Sequence, residues 1–195
     1  MKHSSSRELF AHWNDRRGAR ALPERGEIEP AVIRKSLGDT FILGTEADGD
    51  LRFRLAGTRV CAMFGRELKD EAFAVLFESA HQSLIRRLLA IIGEEEIGVV
   101  AGASGRTPEG FRADLELLLL PLRHRGRPGR RMLGALAPVA VPCWLGASRL
   151  EPVSLGSLRH LGPTLDTLMP SRLSAAVGRA QPRHGFVVYD GGRTS

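Results

Sequence analysis

Cysteine is scarce in this chain. Its 195 residues include only Cys61 and Cys143, too few for a disulfide framework or for a zinc site of their own. There is no Cys-x-x-Cys, and no two histidines stand four residues apart, so the usual spacings of a zinc site are missing. Long apolar runs are also missing. The opening MKHSSSRELFAHW has no signal-peptide core. The longest uncharged stretch, Met132 to Ala147, falls short of the roughly 20 residues a spanning helix needs. Pro138 and Pro142 interrupt it. It reads as a buried strand and its exit, with no membrane insertion. These absences fit a reduced, cytoplasmic compartment.

The motifs of common enzymes are incomplete. The nearest approach to a serine nucleophile elbow, Gly102 to Arg106, misses its last glycine. The loop GRTPEGF lacks the lysine of a phosphate-binding P-loop. Asp114 and Glu116 share a strand face, but Arg112 lies beside them, and surface ion pairs explain them better than acid–base chemistry. No catalytic residue is assigned.

What is present is a soluble composition, 43% hydrophobic and 26% charged, long enough for one domain with extensions. The net charge of +6 comes mainly from arginine. One run, Arg123 to Arg131, holds five arginines and no acid. Such a loop can meet phosphates. No aromatic residue is interleaved to stack bases, so a solvated hairpin tip is the better reading and nucleic acid is disfavoured.

Periodicity then orders the elements. Ser5 and Glu8 have capping-box spacing. A helix from about Ser6 to Arg17 places Leu9, Phe10 and Trp13 on one side, and Gly18 ends it. Pro30 suits the start of a small helix, PAVIRKSL. Two strands flank Asp48-Gly49, a strong hairpin signal. In the second, Phe53 and Leu55 alternate with Arg52 and Arg54, so both apolar residues are expected to face the core. A short helix holds Val60, Met63 and Phe64. A long amphipathic segment places Phe73, Leu76, Phe77, Ala80, Leu84, Leu88 and Ile91 at helical spacing. Three more strands follow, EIGVVAGAS, FRADLELLLLPL and RRMLGALAPVAV. The first of the last two is expected to turn Leu115, Leu117 and Leu119 to one face. The final strand is apolar on both faces, as a central or doubly covered strand would be. Past about Leu145 the pattern fades, and a loosely ordered tail is expected. The order of elements argues for α+β with an antiparallel sheet.

These residues resemble a family. FRLAGT at Phe53 to Thr58, FGREL at Phe64 to Leu68 and LLLPL at Leu118 to Leu122 follow Trp13, Arg17-Gly18, Leu22-Pro23-Glu24-Arg25 and Ile28-Glu29-Pro30. Their order and spacing over roughly residues 8 to 140 resemble small bacterial stand-alone PAS-like proteins. One departure is Lys69-Asp70-Glu71, where such proteins often carry a small residue or glycine.

The resemblance implies a five-stranded antiparallel PAS-like sheet with short helices over one face, plus an added N-terminal helix. It divides the chain into residues 1–36, helix and linker, 37–142, the PAS-like domain, and 143–195, a partly disordered extension. It implies a sensor or adaptor acting through protein contacts, not an enzyme. The ligand-pocket candidates are Phe53, Leu55, Val60, Met63, Phe64, Leu84, Leu88 and Leu117, which could equally be filled core. Leu9, Phe10 and Trp13 are either core or the apolar side of a dimer helix. A homodimer and an unidentified signalling partner are expected. No cofactor is required. His81 occupies the helix on which haem-binding PAS domains carry their ligand, and Cys61 the helix where flavin-binding ones place a reactive cysteine. Both readings are disfavoured, His81 as an ordinary helix residue and Cys61 as a small apolar one. The alternatives are a small cavity enzyme using His81 and a nucleic-acid binder using Arg123 to Arg131.

Overall fold

Strands with apolar residues on both faces belong in the middle of a sheet. In the computed structural model, which describes residues 1–124 and 130–161, they are there. The strands are β1 (Thr40–Thr45), β2 (Leu51–Ala56), β3 (Gly98–Arg106), β4 (Arg112–Leu122), β5 (Arg131–Pro138) and β6 (Ser154–Leu161). They form one antiparallel sheet in the order β2-β1-β5-β4-β3-β6. β5 and β4 are buried almost along their length. The sheet has six strands rather than the five expected. β6 pairs with β3 and lies in the stretch expected to be an extension. Its alternation was missed because a bulge opposite Gly102 breaks the period. The expected tail from residue 162 onward and residues 125–129 of the arginine run lie outside the described residues.

Helices cover both faces, not one. The inner face carries α2 (Thr58–Phe64) and α3 (Ser79–Glu95) with a 3-10 turn, Phe73–Leu76, between them. Phe41, Phe53, Phe73 and Phe77 pack there with successive ring centroids 5.4 to 5.6 Å apart. The long amphipathic segment is thus two elements, because Phe77 and Glu78 are extended. The outer face carries α1 (Ser4–Arg17) and the linker after it. The expected small helix at 30–37 is a series of turns leading into a 3-10 turn, Leu37–Asp39.

α1 packs Leu9 and Trp13 on Val100, Leu118, Leu120, Leu133 and Ala135 of its own sheet. Trp13 Nε1 donates to the Pro121 carbonyl at 2.9 Å, which satisfies the one polar atom of a buried ring. Leu9 and Trp13 are therefore occupied within the chain, and only Phe10 stays half-buried, stacked on Trp13. The capping box does not form. His3 caps the helix, while Ser5 and Glu8 turn to Asp39 and Ser36.

The hand-over from β2 to α2 depends on Gly57. A Cβ there would lie 2.6 Å from the Gly38 carbonyl carbon, with the Leu37 carbonyl oxygen closer still. Backbone cannot swing aside as a side chain can. Gly57→Ala should cost about 2 kcal/mol or more, read as a fall in urea midpoint at unchanged m-value.

Two buried titratable groups hold α1 in place, Glu116 to the sheet and His12 to the linker. Glu116 accepts the Lys2 and His3 amides at 2.5 and 3.0 Å. Burial would push its carboxyl up, but the Lys2 amide, the nearby Ser6 hydroxyl, the His3 amide and the N-terminal charge together outweigh it and hold the group below the ordinary carboxylate range. The ion-pair reading of Glu116 is corrected accordingly: the residue is buried and bonded to backbone. His12 Nε2 accepts the Glu29 amide at 3.1 Å. Burial, then the nearby Arg16 charge, lowers its pKa below the ordinary 6.5. Both folded-state values are depressed, so both groups stabilise the fold at neutral pH. The His12 contribution is complete above 6.5 and declines below it, and the Glu116 contribution is lost as pH falls through its own lowered value. The urea midpoint should drop between about pH 7.5 and 5.5, and His12→Gln, which accepts without titrating, should flatten that drop.

Candidate functional site

The site is built where α2 crosses the inner face. Val60, Met63 and Phe64 face the sheet and meet Phe53, Leu88 and Leu117 in one core, each nearly inaccessible. Six of the eight pocket candidates are brought together. Leu55 is not: it is 46% exposed. β2 opposes Ile42 with Leu55 and Leu43 with Phe53, so Arg54 is a bulge residue and the side-chain alternation flips there. Leu84 is only half-buried. The buried stripe of α3 is Ile85, Leu88, Leu89 and Ile92, one position round from the face expected. The shift follows from starting the helix at Ser79 rather than extrapolating its phase from Phe73.

The turn after α2 answers the departure at Lys69-Asp70-Glu71. Asp70 has φ 65°, the left-handed region where glycine is usual and aspartate is tolerated. Its amide donates to Phe53 O at 2.9 Å, and Phe53 N donates to Glu71 O at 3.0 Å. The turn thereby covers the free edge of β2 beside these core residues.

The residues that sequence reasoning missed are polar. Asp39 is 2% exposed. It accepts Arg59 Nε and Nη2 at 2.7 and 2.8 Å, a bidentate pair, and the Ser5 hydroxyl at 2.6 Å. Arg59 also donates to the Lys35 carbonyl. Its guanidinium passes over Gly38, where a Cβ would come within 2.8 Å of Cζ. One buried carboxylate therefore joins α2, which lies on the inner core, to α1 on the opposite face. Only the glycines of LGD and LAG hinted at it.

The remaining candidates fall elsewhere. His81 sits half-buried in the first turn of α3 with Nδ1 3.8 Å from Glu78 Oε2, outside the inner core cluster. Cys61 Sγ lies 3.5 Å from Glu67, and burial pushes the thiol up, away from a reactive thiolate. Among the described residues no group of three His, Cys, Asp or Glu could hold a metal. Of the arginine run, Arg123 pairs with Glu96 at 3.8 Å and Arg130 with Glu94 at 2.7 Å, acids that the end of α3 supplies. No helix among the described residues is long and apolar enough to cross a membrane.

Comparison with known proteins follows this geometry. A family model described as the PAS domain matches residues 1–137. The crystal structure of the PAS domain of a protein from Colwellia psychrerythraea is similar at a TM-score of 0.38 and 13% identity, over 56% of this chain and 97% of that one. A search of curated proteins gave no match. The family match spans well over half the chain and takes in α1 as well as β1 to β5. The chain belongs to the PAS-domain family, a class of sensory and signalling domains.

Proposed function

We propose that this protein is a cytoplasmic sensory adaptor that acts through contacts with a signalling partner, itself or as a homodimer, and does no chemistry. The observation that carries the reading is the Asp39 carboxylate shared by Arg59 of α2 and Ser5 of α1. A sensor must link the place where a signal enters to a surface that a partner reads. In PAS domains the entry is the space between sheet and helices, here roofed by α2 through Val60, Met63 and Phe64. The surface is α1. Repacking α2 around a small apolar ligand would move Arg59, and with it one hold on the start of α1. A ligand shifts this equilibrium only as far as it binds the two arrangements differently.

The energetics suit a switch. The pair is half in solvent at Arg59 and buried at Asp39. Removing Arg59 strands a buried charge, which costs about 3–5 kcal/mol, less than the burial of Leu9 and Trp13 together supplies. α1 would loosen without the sheet unfolding.

Trp13 reports on this directly. In a Trp144→Phe background, Arg59→Met should red-shift Trp13 emission and speed amide exchange in Ser4–Arg17, while β4 and β5 stay protected. Unchanged exchange in α1 would sink the coupling. Native mass spectrometry of the fresh protein tests the rest: retained small-molecule mass supports a ligand sensor, and a dimer supports the assembly.

A further inference from the structure

A cleft lies on the outer face of the sheet, past the cover of α1. Its volume is about 380 Å³, and Arg25, Ile42, Arg54, His124 and Arg131 line it. The lining brings three guanidiniums and an imidazole from four separate places in the chain, with no carboxylate among the described residues. We propose that this cleft binds the phosphate group of a small phosphorylated ligand.

The backbone is arranged to allow the convergence. Arg131 of β5 stands opposite Gly44 of β1, and Arg54 is the bulge residue of β2 on the other side. Strands two apart are about 10 Å from one another, too far for side chains that stand straight up. Here both guanidiniums lean inward over Gly44. A Cβ on Gly44 would lie 2.6 Å from Arg131 Cζ and 3.0 Å from Arg54 Nε. Any larger residue would hold the two arginines apart. Arg54 Nε is buried and donates to nothing among the described residues. Glu46 and Asp70 offset the Arg54 charge from outside the lining. Arg25 hangs over the cleft from the linker, held there because its amide donates to the Arg123 carbonyl at 2.8 Å.

This arrangement costs the fold stability. Glycine inside a strand is unfavourable by roughly 0.5–1 kcal/mol. An anion gathered by the guanidiniums repays it. Phosphate fits better than carboxylate, because a tetrahedral group offers three oxygens and up to two charges to several guanidinium forks at once. The volume exceeds that of phosphate alone and sits at the small end of ligand sites, so an ester with a compact organic part is indicated. Among the described residues the lining has no Phe, Tyr or Trp for base stacking, which argues against nucleic acid.

The test is isothermal titration of the full chain with inorganic pyrophosphate, beside co-sedimentation with vesicles of phosphatidylcholine and phosphatidic acid. Saturable binding at one site is expected, weakened about tenfold by Arg25→Gln and by Arg131→Gln. Arg25 is exposed on the linker, so its variant does not threaten the fold. Arg87→Gln, on the exposed side of α3, should change nothing. Pyrophosphate binding with that pattern assigns a soluble ligand, and vesicle binding alone with that pattern assigns a lipid headgroup. No binding to either, equal loss in Arg87→Gln, or tighter binding of a duplex oligonucleotide would overturn the proposal.

Discussion

A sheet whose central strands are apolar on both faces cannot leave either face to water. β4 and β5 impose this. Leu115, Leu117 and Leu119 point one way, Leu118, Leu120, Leu133 and Ala135 the other. The inner face is closed by α2, the 3-10 turn and α3. The outer face needs its own cover, and α1 with the linker provides it. The N-terminal helix is thus part of the fold, and the family match accordingly begins at residue 1.

Covering both faces joins them. α1 is held by apolar contact at its middle, by Glu116 and Asp39 at its start, and by His12 toward its end. The apolar contact carries no titratable group and is insensitive to pH. Glu116 and His12 respond to pH, and the Asp39 carboxylate is shared with Arg59 of α2. An element with a strong non-specific hold and a few adjustable ones can loosen in part without unfolding its support. This combination gives the sensory reading its physical content.

Outside the area that α1 and the linker cover, the outer face changes character. Toward β2 it turns basic over Gly44, and toward β6 it carries small and charged residues: Gly102, Ser104, Ser157 and Arg159. The same β2 bulge that sends Leu55 outward also puts Arg54 into the basic cleft. One inserted residue therefore shapes both faces at that edge.

The fold class, the hairpin at Asp48-Gly49, α2 with its Gly65 stop, and strands β3 to β5 were legible in the sequence, since each is written in local period or turn chemistry. So was the shared burial of Phe53, Val60, Met63, Phe64, Leu88 and Leu117, because they sit in regular stretches. Leu55 and Leu84 misled where the period broke, at a bulge and at a helix start. Beyond reach were β6, the fate of Leu9 and Trp13, and the pairing of Asp39 with Arg59 and Ser5. Apolar spacing says which side of a helix is buried but not against what, and a buried carboxylate has no pattern apart from its partners. The sequence by itself determined which residues must leave water. Only the tertiary structure decided what they meet, because partners 20 or more residues apart are chosen by topology.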